Sequence, residues 1–192
     1  MTATSPRAPR KESPRAPRKD QVRNRRLLLD AARLAFAEQG PDLSIEAIAR
    51  TAGVGATTFY RHFATKDDLV LQLLEDMSHG AHQVAEEAAG IADDWEAFRA
   101  VFTRGCALDD AGLRLFDALC RTSPQAAEHG RALAASLITP VADRARRSGR
   151  LRGDVTAEDV AAFMRMADSA STPRQRETAH EVMLAGLRTP AG

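Results

Sequence analysis

Two short stretches of helical apolar spacing meet at Gly53, and that junction constrains the chain more than any other feature. Ser44 stands before Ile45-Glu46-Ala47-Ile48-Ala49-Arg50. A serine in that place can accept a hydrogen bond from a free amide of the first turn. Ala47, three residues on, leaves the capping box incomplete. The run ends at Ala52-Gly53, where glycine can take the left-handed backbone of a sharp turn. Val54 follows as an apolar plug. A third short helix is predicted from about Gly55 to His62, with Phe59 and Phe63 on its inner side. Thr65 then precedes Lys66-Asp67-Asp68-Leu69, and acidic residues in a first turn suit the helix dipole. The pattern of helix, tight turn and helix is that of a helix-turn-helix. Ile45, Ile48, Ala49, Val54 and Phe59 form the apolar set that would fix the angle between the two helices.

The outward residues of the second helix are Ala56, Thr57, Thr58, Tyr60, Arg61 and His62. The small residues at its start allow a close backbone approach to DNA. The later ones offer hydrogen-bond groups to bases and phosphates. The same pattern also fits a polar solvent face on an ordinary helical hairpin.

Charge is unevenly distributed. Residues 1–26 carry nine basic and two acidic residues, a net +7, and the remainder carries 18 basic and 24 acidic, a net −6. The total of +1 conceals a basic head on an acidic body. The head also repeats itself, since SPRAPRK occupies 5–11 and again 13–19. Its first twenty residues are rich in proline and have no large apolar residue after Met1, so they cannot build a core, and residues 1–19 are expected to be an extended, disordered basic arm. Contact with nucleic acid and a purely solubilising role are both open for it.

From about Asp20 onward every periodic segment is helical. Leu27, Leu28, Ala31, Leu34, Ala35 and Phe36 predict a first helix ending at Gln39-Gly40-Pro41. The fourth helix should reach about Gly90, and further helices are predicted over 93–109, 112–121, 124–148, 156–170 and 173–187. Pro140 lies inside the predicted 124–148 helix and is expected to kink it. The fold class is therefore all-α, an N-terminal three-helix helix-turn-helix domain over 20–66 followed by a helical bundle over 67–192. No apolar run approaches the ~20 residues of a membrane span, and no apolar stretch follows the basic N-terminus as a secretory signal requires. With only Cys106 and Cys120 there is no disulfide framework. A cytoplasmic location is expected.

The string Leu43–Leu69 resembles the DNA-binding domain of the tetracycline-repressor (TetR) family, and Arg25–Gly40 resembles that family's first helix. The likeness covers about 50 residues. It implies a homodimeric, small-molecule-responsive DNA-binding regulator of transcription, most often a repressor, and not an enzyme. Carried onto this chain, Ser44 would cap the first helix of the motif and touch a phosphate. Ala56, Thr57, Thr58, Tyr60, Arg61 and His62 would lie in or beside the major groove, and Lys66 would reach the backbone. Thr57 departs from the family pattern, in which a glycine often precedes Thr58. The resemblance also implies a C-terminal ligand-binding and dimerisation region whose last two helices form a four-helix seam with a second copy. Val160, Phe163, Met164, Val182, Met183 and Leu187 are candidates for that seam, and all could instead serve the monomer's core.

An activator of the same fold and a helical interaction protein with a vestigial motif are the alternative functions. A ligand cavity is expected among the helices between about Trp95 and Met166. Trp95, Phe98, Phe102, Phe116, Leu119, Leu137 and Met164 are its candidate lining, which favours a largely apolar effector. No cofactor is expected. Glu177-Thr-Ala-His180 has the spacing of a di-iron helix but lacks the further carboxylates such a centre needs. His79 and His82, with Glu86, leave a surface zinc site open but short of a fourth ligand. The two cysteines are read as inert buried thiols.

Overall fold

The computed structural model describes residues 17–105 and 108–190. Among them are nine helices: α1 (Pro17–Gln39), α2 (Ile45–Thr51), α3 (Ala56–Tyr60), α4 (Lys66–Ala89), α5 (Asp94–Arg104), α6 (Asp110–Cys120), α7 (Pro124–Arg147), α8 (Ala157–Asp168) and α9 (Pro173–Leu187). No strand occurs among the described residues, although one isolated antiparallel bridge joins Leu151 to Arg188. Most of the repeated basic segment and Cys106 lie outside the described residues.

The helix starts follow from side chains that accept first-turn amides. Ser44 accepts from Ala47, Asp93 from Trp95 and Glu96, Asp109 from Gly112, and Ser123 from Ala126. Thr65 and Thr156 go further, each forming a reciprocal capping box with an aspartate three residues on. The Glu96 amide, and with it the Trp95 amide, holds the Asp93 carboxyl below the usual carboxylate range. The capping of α6 by Asp109 starts that helix two residues earlier than periodicity alone predicts. The preceding helix ends at Arg104, short of the predicted Asp109, with Gly105 packed against Val101 and Met164. Pro140 lies inside α7, which runs unbroken from Pro124 to Arg147.

Two apolar cores hold the helices. The first joins Leu28, Ala32 and Phe36 of α1 to Ile48, Ala49, Phe59 and Phe63 of the helix-turn-helix and to Leu69 and Leu73 of α4. It continues without a break into Leu115 and Leu119 of α6 and Leu133 of α7. The second core gathers Trp95, Phe98 and Phe102 of α5 with Ile138 and Val141 of α7, Val160 and Met164 of α8, and Leu184 and Leu187. Each large side chain removed from water in this way is worth about 1.5–3 kcal/mol. At the edge of the second core, Arg144 ties three segments together, meeting the Asp94 carboxylate at 2.8 Å and donating to the Ile91 carbonyl at 2.8 Å.

α6 is placed between the two halves. One side packs on α1 through Leu115 and Leu119, and the other faces a cavity beneath α7 and α8.

Candidate nucleic-acid interface

The turn between α2 and α3 is built by backbone hydrogen bonds as well as by its glycine. Gly53 has φ +68°, its amide donates to the Arg50 carbonyl at 3.1 Å, and the Val54 amide donates to the Ala49 carbonyl at 2.9 Å. This paired closure is a Schellman arrangement, which satisfies carbonyls the helix would otherwise leave free. It turns Val54 back onto the first core. α3 is then pinned by Phe59, which is fully buried and lies 5.7 Å from the Phe63 ring and 5.6 Å from Tyr60.

With Phe59 inward, the rest of α3 faces solvent. Thr57, Tyr60 and Arg61 are exposed, and Ala56, Thr58 and His62 are half-buried. Tyr60 has 53% of its surface exposed, unusual for an aromatic side chain in a protein with one tyrosine. Ser44 is exposed, and its hydroxyl is the α2 cap, 3.2 Å from the Ala47 amide. Lys66 is tied into the protein, its Nζ donating to the Pro41 carbonyl at 3.0 Å and lying 5.7 Å from the centre of the Phe36 ring. These eight residues share one end of the molecule, around α3 and the starts of α2 and α4.

Sequence reasoning did not single out Arg25. From α1 its guanidinium donates to the His62 carbonyl at 3.1 Å and to Gln72 Oε1 at 2.8 Å, and it stacks 4.4 Å from the centre of the Phe63 ring. One side chain thus joins α1, the end of α3 and α4. The partners lie 37 and 47 positions away in the chain, so no local pattern reveals them. Charged hydrogen bonds and a cation–π contact that are partly solvated together contribute about 2 kcal/mol. Arg25→Ala should lower stability by about that amount, read as a reduced urea midpoint, and an unchanged midpoint would contradict the clamp.

The His62 imidazole is held below the usual histidine value by partial burial first, then by the Arg25 and Arg61 guanidinium charges. These effects favour the neutral imidazole.

The candidate ligand residues fall into two groups. A cavity of about 350 Å³ lies among α4, α6, α7 and α8, and Phe116, Leu137 and Met164 line it. Trp95, Phe98 and Phe102 do not reach it, because they stack along α5 at 5.4 and 6.0 Å and fill the second core. Leu119 turns the other way, into the first core. The cavity walls mix large apolar residues with small ones, among them Ala81, Gly105, Gly130, Ala134 and Ala161. Cys120 also lines it, and burial pushes its thiol up to about 11, which leaves it unreactive near neutrality. His82 Nδ1 lies 2.9 Å from the Ser78 carbonyl and His79 is beside Gln83. Among the described residues no three metal-ligating side chains come together. His180 of the Glu-x-x-His sequence faces Asp168 at 3.3 Å and the Phe102 ring at 5.7 Å.

Of the candidate seam residues, Val160, Met164 and Leu187 are buried in the second core, with Phe163 and Met183 packed partly against it. Val182 of α9 is 67% exposed and Met166 of α8 is 60% exposed.

A helix-turn-helix module with an exposed second helix, set on a helical bundle with an internal cavity, defines the class of this molecule. Residues 28–73 match the family model described as bacterial regulatory proteins, tetR family. A TetR transcription regulatory protein from Mycobacterium vanbaalenii is 30% identical over 90% of this chain and 99% of its own, with a TM-score of 0.49. The TetR transcriptional regulator SCO0520 from Streptomyces coelicolor is 28% identical over 87% of this chain and 99% of its own, with a TM-score of 0.51. The HTH-type transcriptional repressor LfrR from Mycolicibacterium smegmatis is 36% identical over 74 residues, which are 37% of this chain and 39% of that protein. The curated relatives are thus matched over only about a third to two fifths of their length. The chain belongs to the tetR family of bacterial regulatory proteins. None of the helices among the described residues is long and apolar enough to cross a membrane.

Proposed function

We propose that this protein is a DNA-binding transcriptional regulator, a homodimeric repressor released from its operator by a small molecule. The observation that carries the reading is the exposed polar surface of α3, held rigid by a fully buried Phe59 and backed by Arg25. In this reading α3 enters the major groove and Thr57, Thr58, Tyr60 and Arg61 meet base edges and phosphates. Ser44 and Lys66 flank it at the sugar-phosphate backbone, and the basic residues of the N-terminal repeat add phosphate contacts. Two copies, joined along the α8–α9 hairpin with Val182 and Met166 at the seam, present two such helices. Their spacing must match successive major grooves, about 34–36 Å per helical turn or a multiple.

Release follows from population shift. A ligand in the cavity stabilises the dimer geometry whose spacing does not fit the operator, and it must bind that geometry more tightly, since equal affinity shifts nothing. α4 and α6 each have residues on the cavity wall and in the first core, and α4 begins at Lys66, so these two helices link the sites. The cytoplasm is the compartment this function requires.

The test is gel-shift titration against the DNA upstream of the protein's own coding region. Arg61→Ala should weaken binding by about 1–3 kcal/mol with altered preference at nearby bases. Uniform losses on operator and scrambled DNA for Thr58, Tyr60 and Arg61 variants alike would contradict readout by α3. Sedimentation at micromolar concentration should give a dimer, and a monomer that binds the operator as such would overturn the assembly.

A pH dependence follows from His62. In the free protein its proton affinity is depressed. Nearby phosphates favour the imidazolium and raise that affinity in the complex, so binding takes up a proton. Operator affinity should therefore increase as pH falls from 7.5 to 6, and His62→Gln should flatten the slope. An equal slope in the variant would remove His62 from the interface.

A further inference from the structure

Each of the four helices around the cavity brings a polar group to its wall. Ser78 comes from α4, Asp117 from α6, Arg131 from α7, and Arg165 and Asp168 from α8. The rest of the wall is mostly apolar and includes Met77, Leu133, Leu137, Ile138 and Met164. Ser78 is buried, and its hydroxyl already donates to the Glu75 carbonyl of its own helix at 2.9 Å. Burial is the main cause of the upward shift of the Cys120 thiol to about 11, so a negative charge on this wall is disfavoured.

The charges around this chamber cancel. On the wall itself two carboxylates, Asp117 and Asp168, are balanced by two guanidinium groups, Arg131 and Arg165. Asp168 is buried and faces His180 at 3.3 Å, an imidazole charged only when protonated. Just outside the wall, Glu128 pairs with Arg131 and Arg176 with Asp110, and Arg114 of the adjoining polar space offsets Glu128. A charged molecule entering the chamber therefore meets no surplus of opposite charge, and it loses hydration without a partner to replace it. An uncharged molecule avoids that cost and is drawn in by the apolar surface it buries. Because the polar groups are spread around the wall, no direction favours a molecule that is polar at one end. A volume of about 350 Å³ is near the lower end for ligand sites and suits a compact shape.

We propose that the chamber takes a compact, uncharged and predominantly apolar molecule and discriminates against anions and cations of the same shape. The inference deepens the proposed regulation and rests on that reading for its consequence at DNA, though not for the binding itself.

Calorimetric titration of the intact protein at pH 7.5 with 1-adamantanol, 1-adamantanecarboxylate and 1-adamantylammonium tests it, since the three share one rigid cage and differ in charge. The alcohol should bind at least about tenfold more tightly than either ion, a small part of the cost of stripping water from a charge. Arg165 and Asp117 are exposed, so either can be neutralised without disturbing the core. Arg165→Gln should strengthen the ammonium about threefold and weaken the carboxylate by as much, the scale of a solvated charge contact. Asp117→Asn should do the opposite, and both should leave the alcohol unchanged. Ala134→Phe, which fills the chamber, should abolish alcohol binding with helical circular dichroism retained. An ion that matches the alcohol, an absent or inverted response to the two charge substitutions, undiminished binding by Ala134→Phe, or no binding of any of the three overturns the proposal. A gel shift with the same compounds keeps the two readings apart. Binding of the alcohol without DNA release leaves the ligand chemistry standing and removes the regulatory reading. Release by either ion but not by the alcohol does the reverse.

Discussion

Replacing Phe59 by alanine should destabilise the protein by about 3–5 kcal/mol, the cost of a large cavity in a packed aromatic site. Phe59 is the one residue of α3 wholly removed from solvent. Its ring meets Phe63 at 5.7 Å and Tyr60 at 5.6 Å, within a core shared by α1, α2, α4 and α6. A five-residue helix has too few internal hydrogen bonds to persist alone, so its position depends on this anchor. Whole-domain stabilities are about 5–15 kcal/mol, so the loss is a large share of the total. Urea unfolding should show a midpoint lowered by more than about 1 M, given slopes of about 1–3 kcal/mol per molar. Operator binding should fall with it, because Thr57, Tyr60 and Arg61 lose their support. A change below about 1 kcal/mol would mean that α3 is held by something other than its buried ring.

Removal of residues 1–16 should change the salt dependence of DNA binding more than any point substitution. The cut leaves α1 whole and removes Arg7, Arg10, Lys11 and Arg15. These charges are tethered directly ahead of the helix-turn-helix, so docking brings them beside the duplex. Each phosphate neutralised contributes about −0.9 to the slope of log affinity against log salt. Two contacts per subunit in a dimer give a change of about three to four units. Over a fourfold rise in salt, the full chain should then lose roughly a hundredfold more affinity than the shortened one. The ranking of operator variants should barely move, since phosphate contacts position without specifying. An unchanged slope assigns the segment to solubility alone, and a lost ranking assigns it to sequence reading.

The helix-turn-helix was legible because its determinants are local. Ser44, Gly53, Val54 and Thr65 each act on residues within five positions, through a cap or a turn that a short string displays. The cavity lining was only partly legible, and the reason is physical. Periodicity identifies large apolar residues, and Trp95, Phe98 and Phe102 do what such residues do: they fill space. A void is left where Ala81, Gly130, Ala134 and Ala161 face one another from α4, α7 and α8, and small residues carry no such signal. Three of the expected lining residues, Phe116, Leu137 and Met164, do reach the wall, since they lie beside those gaps. Arg25 was illegible for a different reason, because an arginine on a helix is ordinarily solvated and its partners come from α3 and α4.

Among the described residues from α4 onward, Val182 and Met166 on the final hairpin are the large apolar side chains left exposed. Val182→Arg places a charge there without disturbing the second core. In the proposed assembly it should shift sedimentation toward monomer while leaving helical content unchanged.

The most direct measurement is a competition titration with the intact, full-length chain. A fluorescent duplex from the upstream region of its own gene is bound at physiological salt and displaced by unlabelled operator or by scrambled DNA of equal length. Operator should displace it at concentrations at least about a thousandfold lower than scrambled DNA does, the usual margin of specific over non-specific binding. Most of that margin should be lost in the Arg61→Ala, Thr58→Ala double variant. Equal displacement by the two DNAs, or a margin untouched by the α3 substitutions, would contradict the claim that this surface reads DNA.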